Sequence, residues 1–330
     1  MRRAYLMLVL AWAVIGPRVP LLNAQEVQRT WKLSEIRIRD PFILPDETTK
    51  TYYLYRSGGS SVLAYTSSDL ETWTGPFPVF QRPEGFWGNQ AIWAPEVHRY
   101  RGEYYLFVTF NSQEKVKASN PGWQPGERFP LVARGTQILF SHSPKGPFQP
   151  FRNRAHTPSD WMSLDGTLWV EDGVPWMIFC REWVQVQDGS MELVRLQDDL
   201  SATVGRPVTL FRASEAPWRK NQDDKDPKTR IWVTDAPFLY RTKLGKLLML
   251  WSSFGPGGYT VGLVESKTGK VGGPWVQVEK PLFENDGGHS MLFKAFDGRL
   301  MLTLHQPNSG PSTALLLEVE DTGDSIRLIR

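Results

Sequence analysis

The chain has 330 residues, 41% hydrophobic and 22% charged, which excludes extended disorder and is enough to bury a large core. Formal net charge is +3 with no block of Lys and Arg, so nothing marks a nucleic-acid partner. The 14 Trp, 10 Tyr and 17 Phe beside 28 Gly and 25 Pro favour short strands and many turns over long helices, an all-β chain.

The N-terminus, MRRAYLMLVLAWAVIG, places two arginines before an apolar run, and small residues follow near Ala24. Pro17 and Pro20 stop the run short of the roughly 20 residues that a membrane span needs. Residues 1–24 are therefore expected to be a cleaved secretory signal and 25–330 a single domain, secreted or periplasmic, free of the membrane and monomeric. Cys180, the lone cysteine, sits in the strand-like WMIFC and reads as a buried thiol.

Five segments then repeat one pattern of polar residue, short apolar strand, Gly- or Asp-bearing turn and a more aromatic strand. In chain order they are DPFILPDETTKTYYLYRS, PEVHRYRGEYYLFVTF, LDGTLWVEDGVPWMIFCRE, TDAPFLYRTKLGKLLMLWSS and GHSMLFKAFDGRLMLTLHQ. Their leading polar residues are Asp40, Glu96, Asp165, Asp235 and His289, spaced by 56, 69, 70 and 54. A further strand and a Gly-Pro-like stop follow most hairpins, as in QILFSHSPKGP, which makes four strands per unit. Such a unit cannot bury both faces alone, so five of them predict a five-bladed β-propeller over roughly residues 30–330. Either TWKLSEI or DSIRLIR closes the last blade, a strand from each end being the more stable clasp. NSQEKVKASNPGWQPGERFP and RASEAPWRKNQDDKDPKTR read as long loops that shape a pocket.

If each blade begins with its innermost strand, the leading residues converge at one end of the axis, and four of the five are carboxylates. That crowding costs stability unless charge is redistributed, in part by neighbours such as Arg39. Separated carboxylates in a pocket are what glycoside hydrolysis uses: one protonated to assist the leaving oxygen, another ionised to activate water or attack carbon. Of the nearby aromatics Trp93, Trp161, Trp169 and Trp232, Trp93 is the one expected to face a sugar, the others serving equally as blade core.

RDPFI, WAPEV, SLDGTLWVEDG, DAPFLYR and GGHSM, one per blade and in order, resemble the five-bladed propellers of glycoside hydrolase family 43. The resemblance implies an inverting hydrolase of α-L-arabinofuranosides, β-D-xylosides or related sugars, with no required cofactor. It implies Asp40 as general base and Asp165 as the residue that tunes and orients the acid. It also places His289 near the axis, where a histidine of the family sometimes holds a central cation, such as a structural calcium, through water. The family's fourth-blade general acid is usually Glu, whereas this chain has Asp235, one methylene shorter. Glu182 in FCREWVQ is a second candidate acid, because a charged residue in so apolar a strand needs a pocket or a satisfied network. Glu96 follows them, or binds a substrate hydroxyl, with Arg39 and His289 as further contacts to the carbohydrate. Two other readings stand beside this one: a family 117-like anhydrogalactosidase using His289 or His305 as acid, and a carbohydrate-binding propeller without catalysis.

Overall fold

The repeated hairpins fold into five antiparallel sheets in the computed structural model, which describes residues 29–119, 122–220 and 230–329. The expected signal at 1–24 lies outside the described residues. Blade one comprises β1 (Thr30–Lys32), β2 (Phe42–Asp46), β3 (Thr51–Ser57), β4 (Ser61–Ser67) and β5 (Thr72–Gln81). Blade two comprises β6 (Ile92–Tyr100), β7 (Glu103–Lys115), β8 (Val132–Ser141) and β9 (Gln149–Pro150). Blade three holds β10 (Ser163–Glu171), β11 (Val174–Arg181), β12 (Ser190–Leu196) and β13 (Thr203–Arg212), with one helical turn, α1 (Trp183–Val186), after β11. Blade four holds β14 (Asp235–Arg241), β15 (Leu247–Gly255), β16 (Gly258–Ser266) and β17 (Trp275–Gln277). Blade five holds β18 (Gly288–Lys294), β19 (Leu300–Gln306), β20 (Thr313–Asp321) and β21 (Ile326–Leu328). No helix among the described residues is long and apolar enough to cross a membrane.

The second strand of each blade has an apolar, buried centre because both of its faces meet another blade. In β15, Leu247, Met249 and Trp251 pack with blade three, whereas Leu248 and Leu250 pack with blade five. In β11, Met177 and Phe179 face blade two while Ile178 and Cys180 face blade four. Period-2 alternation thus divides one strand between two cores. Cys180 is fully buried there, and burial pushes its thiol well above the usual range, so it is an inert core residue.

The first and last described strands do not share a blade. Trp31 of β1 pairs with Trp73 on the outer edge of blade one, and β21 completes blade five. Between them the segment 36–40 runs along blade five, where Ile38 N–H donates to Ser312 O at 3.0 Å and Arg37 bridges Thr313. The first expected loop is partly strand, since β7 pairs with β8 as far as Lys115 and Val132. The described part of the second loop inserts Trp218 between blades three and four. A Cβ at Gly262 would lie 2.0 Å from that indole, so only glycine fits beneath it.

One local device recurs at the head of the inner strands. Asp40, Ala94, Asp165, Ala236 and His289 all have left-handed backbones, with φ of 53°, 45°, 55°, 53° and 55°. In four blades the residue opens a β-bulge, between Trp93 and Glu96, Leu164 and Thr167, Asp235 and Phe238, and Gly288 and Met291. The sequence alignment of leading residues is corrected accordingly: blade two contributes Ala94 at this position and blade four Ala236. Asp235 stands one residue before the bulge and Glu96 one residue after it, on a different part of the strand.

Candidate active site

Four of the five left-handed residues are tied around the ring by their amides, each donating to the preceding blade. Asp165 N–H reaches Thr109 Oγ1 at 2.9 Å, Ala236 N–H reaches Asp165 Oδ2 at 3.1 Å, and His289 N–H reaches Ser252 Oγ at 2.9 Å. The Asp40 amide lies 3.2 Å from His305 Nδ1, which accepts its proton in the tautomer that lets Nε2 donate to Asn308 Oδ1 at 3.3 Å. Strained backbone is over-determined in this way, and the side chains of Asp40, Asp165 and His289 are aimed at one cavity.

That cavity, about 970 Å³, is lined by Asp40, Asp165, Asp235, Glu182 and His289. Residues from positions just before the bulges, Arg39, Trp93, Leu164 and Asp235, line it as well. His289 Nδ1 is 3.1 Å from Asp40 Oδ1 and 3.8 Å from Asp165 Oδ2. Burial disfavours the charged imidazolium, but the attraction of Asp40, Asp165 and Asp235 exceeds that cost and raises His289 to about 10. Loss of solvent disfavours the charge on Asp40, yet His289 beside it holds its carboxyl well below the usual range. Its expected neighbour Arg39 does not pair with it; that guanidinium turns away to Asn308 O and Oδ1, at 2.5 and 2.8 Å.

The other two aspartates behave oppositely. Burial lifts Asp165 to about 8 against the pull of His289, with the like charges of Asp235 and Asp40 adding to the rise. Burial also raises Asp235, again opposed by His289, while the Tyr259 hydroxyl donates to its Oδ2 at 2.9 Å. Glu182, at the start of α1, accepts from Arg134 Nη1, and Arg134 Nε donates to Asn111 Oδ1 at 2.5 Å. Burial brings Arg134 down to about 10 against the pull of Asp165 and Asp235. Its guanidinium lies over the Trp93 ring at 4.2 Å, which leaves that indole, 37% exposed, as a flat face in the pocket wall.

Glu96 is not among the residues lining the cavity; it is buried on blade two against His98 Nε2, at 2.9 Å. Trp161, Trp169 and Trp232 pack at the edges of inter-blade cores. The first expected loop does supply Arg128, Phe129 and Pro130 to the rim. Sequence reasoning missed Arg134 and Tyr259; the polar Arg134 inside the strand VARGTQILF was the available signal.

His289, the residue expected to hold a cation through water, turns its Nδ1 to Asp40. No group of three or more His, Cys, Asp or Glu among the described residues is placed to hold a metal ion directly.

Residues 33–322 match the sequence model of Glycosyl hydrolases family 43. A solved structure of an endo-arabinase from Bacteroides thetaiotaomicron VPI-5482 is 45% identical, with a TM-score of 0.78 over 88% of this chain and 96% of that one. An α-L-arabinofuranosidase from Lactobacillus brevis shares the fold, at 14% identity and a TM-score of 0.69 over 91% of this chain and 100% of that one. Among curated proteins, the extracellular endo-alpha-(1->5)-L-arabinanase 1 of Bacillus subtilis (strain 168) is 24% identical over 175 residues. That match spans 46% of this chain and 46% of the relative, under half of its length. With the family's sequence pattern running through all five blades and three aspartates meeting in one cavity, the chain is a glycosyl hydrolase of family 43.

Proposed function

We propose that this enzyme hydrolyses α-L-arabinofuranosyl linkages of arabinan-type glycans by single displacement with inversion. The observation that carries the mechanism is the split among the aspartates: Asp40 is held ionised beside His289, whereas Asp235 is held toward its acid form. Asp40 then acts as general base on a water that attacks the anomeric carbon. Asp235 gives its proton to the leaving oxygen, the Tyr259 hydroxyl stabilising the carboxylate that forms. Asp165 acts through the backbone: its Oδ2 accepts from the Ala236 amide and so fixes the strand that presents Asp235. The sugar follows from the 45% identical relative, described as an endo-arabinase, and the flat face of Trp93 suits a furanose ring.

Glu182 carries a second reading for the acid, because it too lines the cavity. Its carboxyl is engaged by the Arg134 guanidinium, a placement that suits a residue binding a hydroxyl better than one that donates a proton. Export is part of the proposal, resting on the leader at 1–24 and the extracellular relative.

The test uses exported protein, whose first residue should be Gln25, on aryl α-L-arabinofuranoside, β-D-xyloside and β-D-galactofuranoside. Arabinofuranoside turnover should fall roughly 10²–10⁴-fold in Asp40→Asn. Retention of more than about a tenth of the activity would remove Asp40 as base. Turnover confined to another sugar would replace the substrate.

A further inference from the structure

Asp40 is reached through IRIR, and its alternation assigns two functions to one segment. Ile36 and Ile38, 1% and 4% exposed, enter the core between blades one and five, which leaves Arg37 and Arg39 on the opposite face, in the pocket wall. Arg56, near the end of β3, joins them and donates from Nη1 to Arg37 O at 2.6 Å. We propose that this wall is a subsite for an anionic group on the glycan, a uronate carboxylate or a sulfate ester, bound by Arg37, Arg39 and Arg56. The inference rests on the hydrolase reading above and names a feature of its substrate.

Three observations carry it. Among the described residues none of these arginines forms an ion pair, although 16 such contacts occur elsewhere in the molecule. Each is instead anchored on neutral oxygens: Arg37 Nη1 on Pro311 O at 3.3 Å, Arg39 on Asn308, and Arg56 on the Arg37 carbonyl. Anchoring through part of each fork leaves other N–H groups for a ligand, and Arg56 Nε is buried without a partner. Guanidinium forks fixed in this way match the planar carboxylate and the sulfate oxygens.

The charge balance of the cavity points the same way. Arg134 is matched by Glu182 and His289 by Asp40. Arg37, Arg39, Arg56 and Arg128 then face only Asp165 and Asp235, two carboxyls whose ionisation burial opposes. A neutral furanose supplies nothing to offset that excess, whereas one anionic substituent does. Packing alone does not select the arginines, since the buried isoleucines supply the strand's core contacts.

The test is equilibrium binding to the mature chain, by calorimetry, of trigalacturonate, galactose 6-sulfate and the neutral galactotriose and galactose, at about 20 and 300 mM salt. At least one anionic probe should bind about 10-fold or more tightly than its neutral counterpart at low salt, and less so at high salt. Preference for the uronate or for the sulfate ester identifies the natural group. Arg37→Gln and Arg37→Gln/Arg56→Gln should erase the preference; the single change at an exposed side chain keeps the test valid if the double variant does not fold. Equal binding of charged and neutral probes, or a preference that survives in folded variants, would overturn the subsite. Because binding needs no turnover, arabinofuranoside hydrolysis without anion preference refutes the subsite alone, and anion preference without hydrolysis refutes the activity alone.

Discussion

Replacing Tyr259 with Phe removes one hydroxyl from the pocket and tests which carboxyl donates the proton. The ring keeps its neighbours, His305 at 5.6 Å and Phe254 at 5.3 Å between centroids, so packing is preserved. What is lost is the donor 2.9 Å from Asp235 Oδ2. A hydrogen bond to a charged group contributes about 1.5–3 kcal/mol. It strengthens as Asp235 yields its proton, so most of that contribution is realised in the transition state. At about 1.4 kcal/mol per factor of ten, kcat should fall roughly 10–100-fold. The loss should concentrate on arabino-oligosaccharides, whose leaving group needs a proton. An aryl arabinofuranoside with an acidic phenol should lose less than about threefold. The Tyr259 hydroxyl lowers the Asp235 pKa, so its removal should also move the basic limb of the kcat profile to higher pH. Steady-state kinetics on the two substrates from pH 4 to 9, with a melting curve to confirm folding, decide the matter. Equal losses on both, or none, would refute Asp235 as acid and transfer the role to Glu182.

Two stability predictions accompany it. Glu182→Ala leaves the buried Arg134 without its counter-charge and should cost roughly 3–5 kcal/mol in urea unfolding; a cost below about 1 kcal/mol would show that water replaces the partner. His289, raised to about 10, contributes stability that is complete below its unfolded pKa near 6.5 and is lost as pH rises through 10, while Asp165, raised to about 8, becomes increasingly unfavourable above its unfolded pKa near 3.9. The melting temperature should therefore decline from pH 6.5 to 10, and Asp165→Asn should flatten the part below about 8; a flat profile in the unaltered protein would contradict both charge states.

The five-bladed fold and most of the site were legible in the chain because their signals are local. Strand pairs such as MLFKAFDGRLMLTL declare themselves by alternation and turn chemistry, and alternation also separates Ile36 and Ile38 from Arg37 and Arg39. Tertiary structure decided register and protonation. WAPEV and DAPFLYR look parallel to RDPFI when aligned on their acidic residues, yet the equivalent left-handed positions are Ala94, Ala236 and Asp40. Glu96, two residues beyond Ala94, is carried to His98, whereas Asp235, one residue before Ala236, stays in the cavity. Likewise three aspartates are chemically identical in the sequence, and only the placement of His289, 249 positions beyond Asp40, holds one ionised while burial pushes the other two toward their acid forms. Alternation is a property of neighbours along the chain, whereas a carboxyl's charge depends on the solvent and the charges that the folded ring brings within a few ångströms of it.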